Sequence, residues 1–360
     1  MNYEDLIAAA REAVGEGDPD DHAIAPARHA DQLAVKAPAL AKILRSSAVG
    51  STARLYQQKD AEALQAQQAF KTTAARANAA VFLTASLSAL LLITAPMAIG
   101  TAGLGNWLTI FLGSCGIVSG ALGSMWLFKL REGKLLERWM TARAGAETRR
   151  LKYFELVTSS PAAGPEGSIP LPLLQLEYFR RYQLEVQRVF YRRRGAEHER
   201  AADKMLTLSA VSVALASFAT GIGGLLGGAL HPQWVSLAGF GAIATAIASF
   251  ASAKEAIGQD RRNMERYRRA LEALENLSEK LDAVRLAAAA GEREPLEQFV
   301  AAVHEQISLE HRQWLEASES TTESIAKLED ALARAKVKPA DAAGAQADPA
   351  HAVTTEQREP

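Results

Sequence analysis

The stretch "ANAAVFLTASLSALLLITAPMAIGTAGLGNWLTIFLGSCGIVSGALGSMWLF", Ala77 to Phe128, holds no Asp, Glu, Lys or Arg in 52 positions. A second such run, Met205 to Ala253, has 49 residues with His231 its one group able to carry a charge. About 20 apolar residues cross roughly 30 Å of hydrocarbon as a helix. Each run is therefore too long for one crossing and suits two crossings joined by a tight turn. Turn formers stand mid-run: Pro96, Gly100, Gly103, Gly105 and Asn106 in the first, Gly227, Gly228, His231 and Pro232 in the second. The predicted spans are 79–99, 107–128, 205–226 and 234–253. Trp107 and Trp234 follow the turns and Trp126 lies near the other boundary, where an interfacial aromatic belt forms. The alternative is a soluble protein hiding two apolar hairpins, but a soluble core helix rarely lacks a charged face over this length. The fold class predicted is an all-α integral membrane protein. Its four transmembrane helices form two hairpins, each flanked by long cytoplasmic amphipathic helices.

Averages conceal this division, since 40 basic residues balance 41 acidic ones. Lys129, Arg131, Lys134 and Arg138 follow the first hairpin, Arg192, Arg193 and Arg194 precede the second, and Lys254, Arg261 and Arg262 follow it. The turns carry no Lys or Arg. The positive-inside rule then places both termini and the central segment in the cytoplasm of a multi-pass inner-membrane protein. The opening "MNYEDLIAAAREAVGEGDPDD" is polar and lacks a signal-peptide core, so the first span is expected to serve as its own insertion signal. The single cysteine, Cys115, lies in the second span; one cysteine excludes an intramolecular disulfide, and it reads as a small packing residue.

Outward from the runs, residues 1–50 read as one or two short helices around the loop "GEGDPDDHAIAP". Residues 51–157 form a first two-span unit, with continuous helix expected from Lys129 to Val157. The segment 158–172, "TSSPAAGPEGSIPLP", breaks the chain with four prolines. Residues 173–335 repeat the plan, with an entering helix to Asp203, a leaving helix from Lys254 to Leu286 and a further helix from Pro295. The tail 336–360 is expected to be disordered. Setting Trp139 against Tyr267 aligns "ERWMTARAGAE" (Glu137–Glu147) with "ERYRRALEALE" (Glu265–Glu275), which suggests duplication.

Small residues mark the spans. Gly113, Gly116, Gly120 and Gly123 form a stripe down the second, Gly223/Gly227 and Gly224/Gly228 form GxxxG pairs in the third, and Gly239 begins a small face in the fourth. Such stripes let helices approach closely within a hairpin, between repeats or in a homo-oligomer. In the polar helices Tyr267, Leu271, Leu274, Leu281 and Val284 recur at three/four spacing, the pattern of a helix packing on others as in a coiled coil.

No catalytic arrangement stands out, and an enzyme is not expected. "GTAGLG" and "TGIGGLLGG" are glycine-rich but lack the lysine and preceding strand of a phosphate loop. His304 and His311 with Glu305 make a weak metal set without a closer third partner. No cofactor, metal or nucleic-acid partner is read from the chain; basic residues are mixed with acids throughout. The predicted spans hold no Asp, Glu, Lys or Arg, which disfavours ion-coupled transport.

Two-span hairpins followed by a helix with an aromatic beside Arg and Glu resemble the SLATT domains of bacterial conflict systems. "RYQLEVQRVFYRRR" before the second hairpin and "FVAAVHEQISLEHRQWLEAS", with Glu305, Glu310 and Trp314, are similar to segments of that family. The resemblance covers roughly 55–157 and 173–320, a tandem pair. It implies a membrane effector that forms pores or depolarises the membrane when an upstream sensor or nucleotide-signalling protein detects infection. Trp139, Tyr267, Leu271, Leu274 and Trp314 are the expected packing residues of the cytoplasmic helices. A non-conducting anchor for a soluble partner, and a passive small-solute channel, remain open alternatives.

Overall fold

A computed structural model describes residues 2–17, 23–98, 104–161, 168–229, 237–316 and 318–344, and all regular structure among them is helical. Local chemistry sets many of the helix ends. Helix α1 (Tyr3–Val14) opens with a capping box: the Asn2 side chain accepts from Asp5 N–H at 2.8 Å, and the Asp5 carboxylate accepts from Asn2 N–H at 3.2 Å. It closes at Gly15 with φ 83°, a conformation that glycine adopts freely. Prolines open α2 (Pro26–Leu33) and α3 (Pro38–Leu44), where the missing N–H costs nothing. Three short helices therefore precede residue 47, rather than the one or two expected.

Four helices are long and apolar enough to cross a membrane. These are α4 (Ser47–Ala98), α5 (Leu104–Glu132), α8 (Val186–Ala229) and α9 (Leu237–Gly258). The backbone corrects several turn assignments. Pro96 lies inside α4, Gly105 and Asn106 inside the first turn of α5, and Gly227 and Gly228 inside α8. Glycine is tolerated in transmembrane helices, and proline near a helix end removes few backbone bonds. Gly100, Gly103, His231, Pro232 and Trp234 fall outside the described residues.

The polar helices are α6 (Leu135–Ser159), α7 (Leu171–Phe179), a π-helical turn at Arg180–Glu185, α10 (Asp260–Ser278), α11 (Leu281–Ala289), α12 (Glu294–Glu316) and α13 (Ser318–Gly344). Neither leaving helix is continuous. Lys134 (φ 47°) and Gln259 (φ 50°) adopt the left-handed conformation that non-glycine residues rarely take, and each immediately precedes a new helix. The leaving helix breaks again at Glu279 and Lys280. The two left-handed residues lie 125 positions apart, whereas Trp139 and Tyr267 are 128 apart. The echo in sequence is thus three residues out of register with the paired kinks. Helix α13 continues to Gly344, into the segment expected to lack structure.

The chain divides into two compact units. Unit 1 gathers residues 1–71, 134–203 and 259–320; unit 2 gathers 72–133, 204–258 and 321–360. The division follows the polarity of the segments rather than the order of the repeats. The Pro-rich segment 158–172, expected as a boundary, connects α6 to α7 within unit 1.

In unit 1 every residue of α7 is buried, and α1, α3, α6, α11 and α12 pack around it. Its sequence LPLLQLEYF is apolar on all sides, which only a central helix can satisfy. Its polar side chains are put to use. Gln175 Nε2 donates to the carbonyls of Val157 (2.7 Å) and Ser160 (2.8 Å), and Arg293 donates to those of Thr158 (3.1 Å) and Ser160 (3.3 Å). These bonds satisfy carbonyls that the end of α6 would otherwise leave without donors.

In unit 2 the Thr84 and Ser119 hydroxyls meet at 2.6 Å, and both lie within reach of the Ala80 carbonyl. Asn78 Nδ2 donates to the Phe250 carbonyl at 3.3 Å, tying α4 to α9. Trp107, Phe111, Ile117, Phe128, Phe218 and Leu225 expose more than half of their surface. An apolar surface of this kind on charge-free helices is lipid-facing. Helix α13 lays Ile325, Leu328 and Leu332 inward, with Leu332 against Gly123.

Candidate functional site

Where α4, α6, α8, α10 and α12 converge in unit 1, charged and aromatic side chains interlock. On α6, Trp139, Arg143, Glu147 and Arg150 follow at spacings of four, four and three, so they share one helix face. Trp139 packs on Phe70 of α4 (ring centroids 5.5 Å) and edge-on to Trp314 of α12 (5.1 Å). Trp314 stacks on His311 one turn earlier. On α10, Tyr267 stacks on Tyr191 of α8 at 5.7 Å, and Phe190 meets it edge-on.

Two ion pairs run through this junction. Arg143 binds Glu147 at 2.9 Å, and Arg266 of α10 binds Glu310 of α12 at 3.3 Å with both side chains nearly buried. Arg150 Nε donates to Gln183 of the π-helical turn at 2.9 Å. Burial raises the Glu147 carboxyl, but Arg143, Arg150 and His311 outweigh it and hold it below the usual range. Burial dominates at Glu310 and pushes it up to about 7, against the pull of Arg266 and Arg143. Burial also lowers His304 to about 4 and pulls His311 down. The junction therefore holds one carboxylate firmly ionised and a second close to half-protonated at neutral pH.

A second buried network lies around α7. Glu177, fully buried, accepts from Arg180 Nε at 2.6 Å and from Arg285 Nε at 2.7 Å. Tyr178 OH meets Tyr153 OH at 2.6 Å and His29 Nδ1 at 2.9 Å. The π-helical turn beginning at Arg180 carries Arg180, Tyr182, Gln183 and Leu184 into the interior. Such turns are local insertions that re-aim side chains, frequently at functional sites.

The packing residues read from sequence fall as follows. Trp139 and Trp314 touch; Tyr267 joins the same junction through Tyr191; Leu274 is fully buried; Leu271 packs on the core from a partly buried position. Among the spanning glycines, Gly120, Gly123 and Gly223 are buried, whereas a Cβ at Gly113 or Gly224 would meet open space and one at Gly116 would meet Leu87 at 3.9 Å. Gly239 lies hard against Ile93. Gly227 and Gly228 are described only as helical backbone. Among the described residues no group of three His, Cys, Asp or Glu side chains is placed to hold a metal, and the His304 and His311 rings pack on Phe179 and Trp314 respectively. Sequence reasoning missed Glu177, Tyr178 and Arg143. The signal available was a carboxylate inside a nine-residue helix whose only other strongly polar side chain is Gln175; buried there, it requires a cation partner.

The Glu310 environment has a measurable consequence. Its folded pKa exceeds the usual carboxylate value, so the folded state binds more protons between about pH 4.5 and about 7. Stability from this group is full below that window and is lost as pH rises through it. Glu310→Gln is expected to remove this slope, giving a variant more stable than wild type at pH 8 by about 3 kcal/mol and nearly equal to it at pH 4.5. The depressed pKa values of His304 and His311 act oppositely, losing stability as pH falls below about 6.5. The difference between wild type and variant in thermal unfolding across pH 4.5–8 isolates Glu310, and a constant difference would contradict the assignment.

Residues 179–314 match the family described as SMODS and SLOG-associating 2TM effector domain 1, SLATT_1. The match begins at Phe179, the last residue of α7, and ends at Trp314 in the junction. No curated protein and no solved structure matches the chain.

Proposed function

We propose that this protein is a membrane effector of a bacterial conflict system, which depolarises the inner membrane when an upstream sensor or nucleotide-signalling protein activates it. The carrying observation is the two-span effector domain at 179–314 on a chain with four helices able to cross a membrane. In this reading both termini are cytoplasmic, the protein works as a homo-oligomer, and the junction of α6, α10 and α12 receives the signal. Tandem duplication is supported by the second charge-free hairpin and by the paired left-handed residues Lys134 and Gln259. Production of the protein in cells loaded with a potential-sensitive dye tests the reading, with and without the neighbouring genes and phage challenge. Collapse of the potential and arrest of growth are expected. Normal potential and growth under every condition would exclude it.

A second reading, a non-conducting anchor for a soluble partner, is favoured by one observation. Thr84 and Ser119 spend their hydroxyls on each other and on Ala80 rather than on a water-filled path. Reconstituted vesicles without ion flux, together with one stoichiometric partner in a pulldown, would support that reading over the first.

A further inference from the structure

We propose that the hollow between α2, the α3–α4 junction and the start of α4 is a binding site for a phosphate-bearing anion. Its volume is about 570 Å³, within the span of small-ligand sites. Arg28, Arg45 and Arg54 line it together with Ser46, Ser47 and Ser51, and among the described residues no carboxylate is in the lining. Arg45 pairs with Asp31 at 2.9 Å, while Arg28 and Arg54 make no ion pair or hydrogen bond with the described residues. Among the described residues, these two guanidiniums thus have no carboxylate partner, and together they carry the charge that one phosphate dianion would match.

The chemistry of the wall fits that class of ligand. Guanidinium offers paired N–H donors in a planar fork that matches phosphate oxygens. Ser47 adds a hydroxyl; in the first turn of α4 the Val49 and Gly50 N–H groups go to the Ser46 hydroxyl and carbonyl, which leaves those of Ser47 and Ala48 without an acceptor inside the helix. Gly50 lines the hollow, and a Cβ there would meet nothing within 4 Å. Another groove of unit 1, between α4 and α6, is lined by Lys59, Lys134, Arg138 and Arg149, of which Lys59 and Lys134 pair with Glu62 and Glu137. The site belongs to unit 1 alone and stands whether or not the spans conduct.

The test is calorimetric titration of the purified full-length protein in detergent with inorganic pyrophosphate, and separately with AMP, at about 150 mM salt, where charges beyond about 8 Å are screened. Saturable binding of at least one probe is expected. R28A/R54A should weaken it at least tenfold. Gly50→Leu should block it while leaving the fold intact, since the new side chain enters empty space. Lys59→Ala, in the other groove, should bind as wild type. Repeating the titration in micelles doped with phosphatidic acid separates the sources: competition assigns a lipid headgroup, and unchanged affinity assigns a soluble phosphate compound. Absence of saturable binding to pyrophosphate, AMP and phosphatidic acid overturns the proposal. Wild-type affinity in both R28A/R54A and Gly50→Leu does so equally.

Discussion

Glu177→Gln is expected to destabilise unit 1 by about 3 kcal/mol, the lower end of the cost of breaking a buried ion pair from one side. Glu177 has no exposed surface and is the shared partner of Arg180 and Arg285, whose side chains are 5% and 10% exposed. The amide keeps the shape and one acceptor but removes the charge, leaving two guanidiniums facing a neutral group in the interior. Arg180 retains Glu16 at 3.6 Å and Arg285 retains Asp282 at 2.7 Å, both of them exposed carboxylates that water screens. For a folded unit of this size the loss corresponds to a midpoint lower by roughly 6–12 °C. Thermal unfolding of the purified protein reads it directly, with Glu272→Gln on the exposed face of α10 as the control, expected to shift stability by less than about 0.5 kcal/mol. A Glu177→Gln midpoint equal to that of Glu272→Gln would show that the pair contributes nothing.

Gly120→Leu should disrupt the first hairpin far more than Ala121→Leu. Gly120 is buried beside Ser119, whose hydroxyl reaches Thr84 at 2.6 Å and the Ala80 carbonyl at 3.2 Å, whereas Ala121 is exposed. One turn further, a Cβ on Gly123 would sit 3.4 Å from Ala80 and 3.2 Å from Leu332. Four added carbons at this buried position must displace whatever packs on it or strain α5, at a cost of about 2–3 kcal/mol. The built Cβ of Gly116 lies 3.9 Å from that of Leu87, inside the range a disulfide requires. Paired cysteines at 87 and 116, with Cys115→Ser, therefore report the closeness of the two helices. Gly120→Leu should abolish most of this crosslink and Ala121→Leu should preserve it; equal yields would remove the stripe as a packing device.

The glycine stripe and the aromatic junction differ in how far the sequence exposes them. A stripe at three/four spacing can be read from one helix, because period alone puts its members on one face. Which part of the stripe is in contact cannot: Gly120 and Gly123 are buried while Gly113 faces open space. Trp139, Tyr267 and Trp314 stood out as aromatics among charges, yet the partners Phe70 of Trp139 and Tyr191 of Tyr267 did not. Those partners come from other helices, 69 and 76 residues away in the chain. Glu177 was passed over because a single carboxylate in an apolar run looks like a surface position until Arg285, from α11, is placed beside it.

The charge-free runs by themselves determined that the chain has four helical segments able to span a membrane. Hydrocarbon tolerates no unpaired backbone polar groups, and helices satisfy them within one segment. The division of the polar segments was beyond their reach. Helices α1, α6, α7, α10, α11 and α12 form one unit because each carries an apolar face that only the others can cover. The near-neutral titration of Glu310 arises from that packing, through burial opposed by Arg266 of α10 and Arg143 of α6. It depends on side chains distant in sequence, so no local propensity encodes it, and tertiary structure alone decided it.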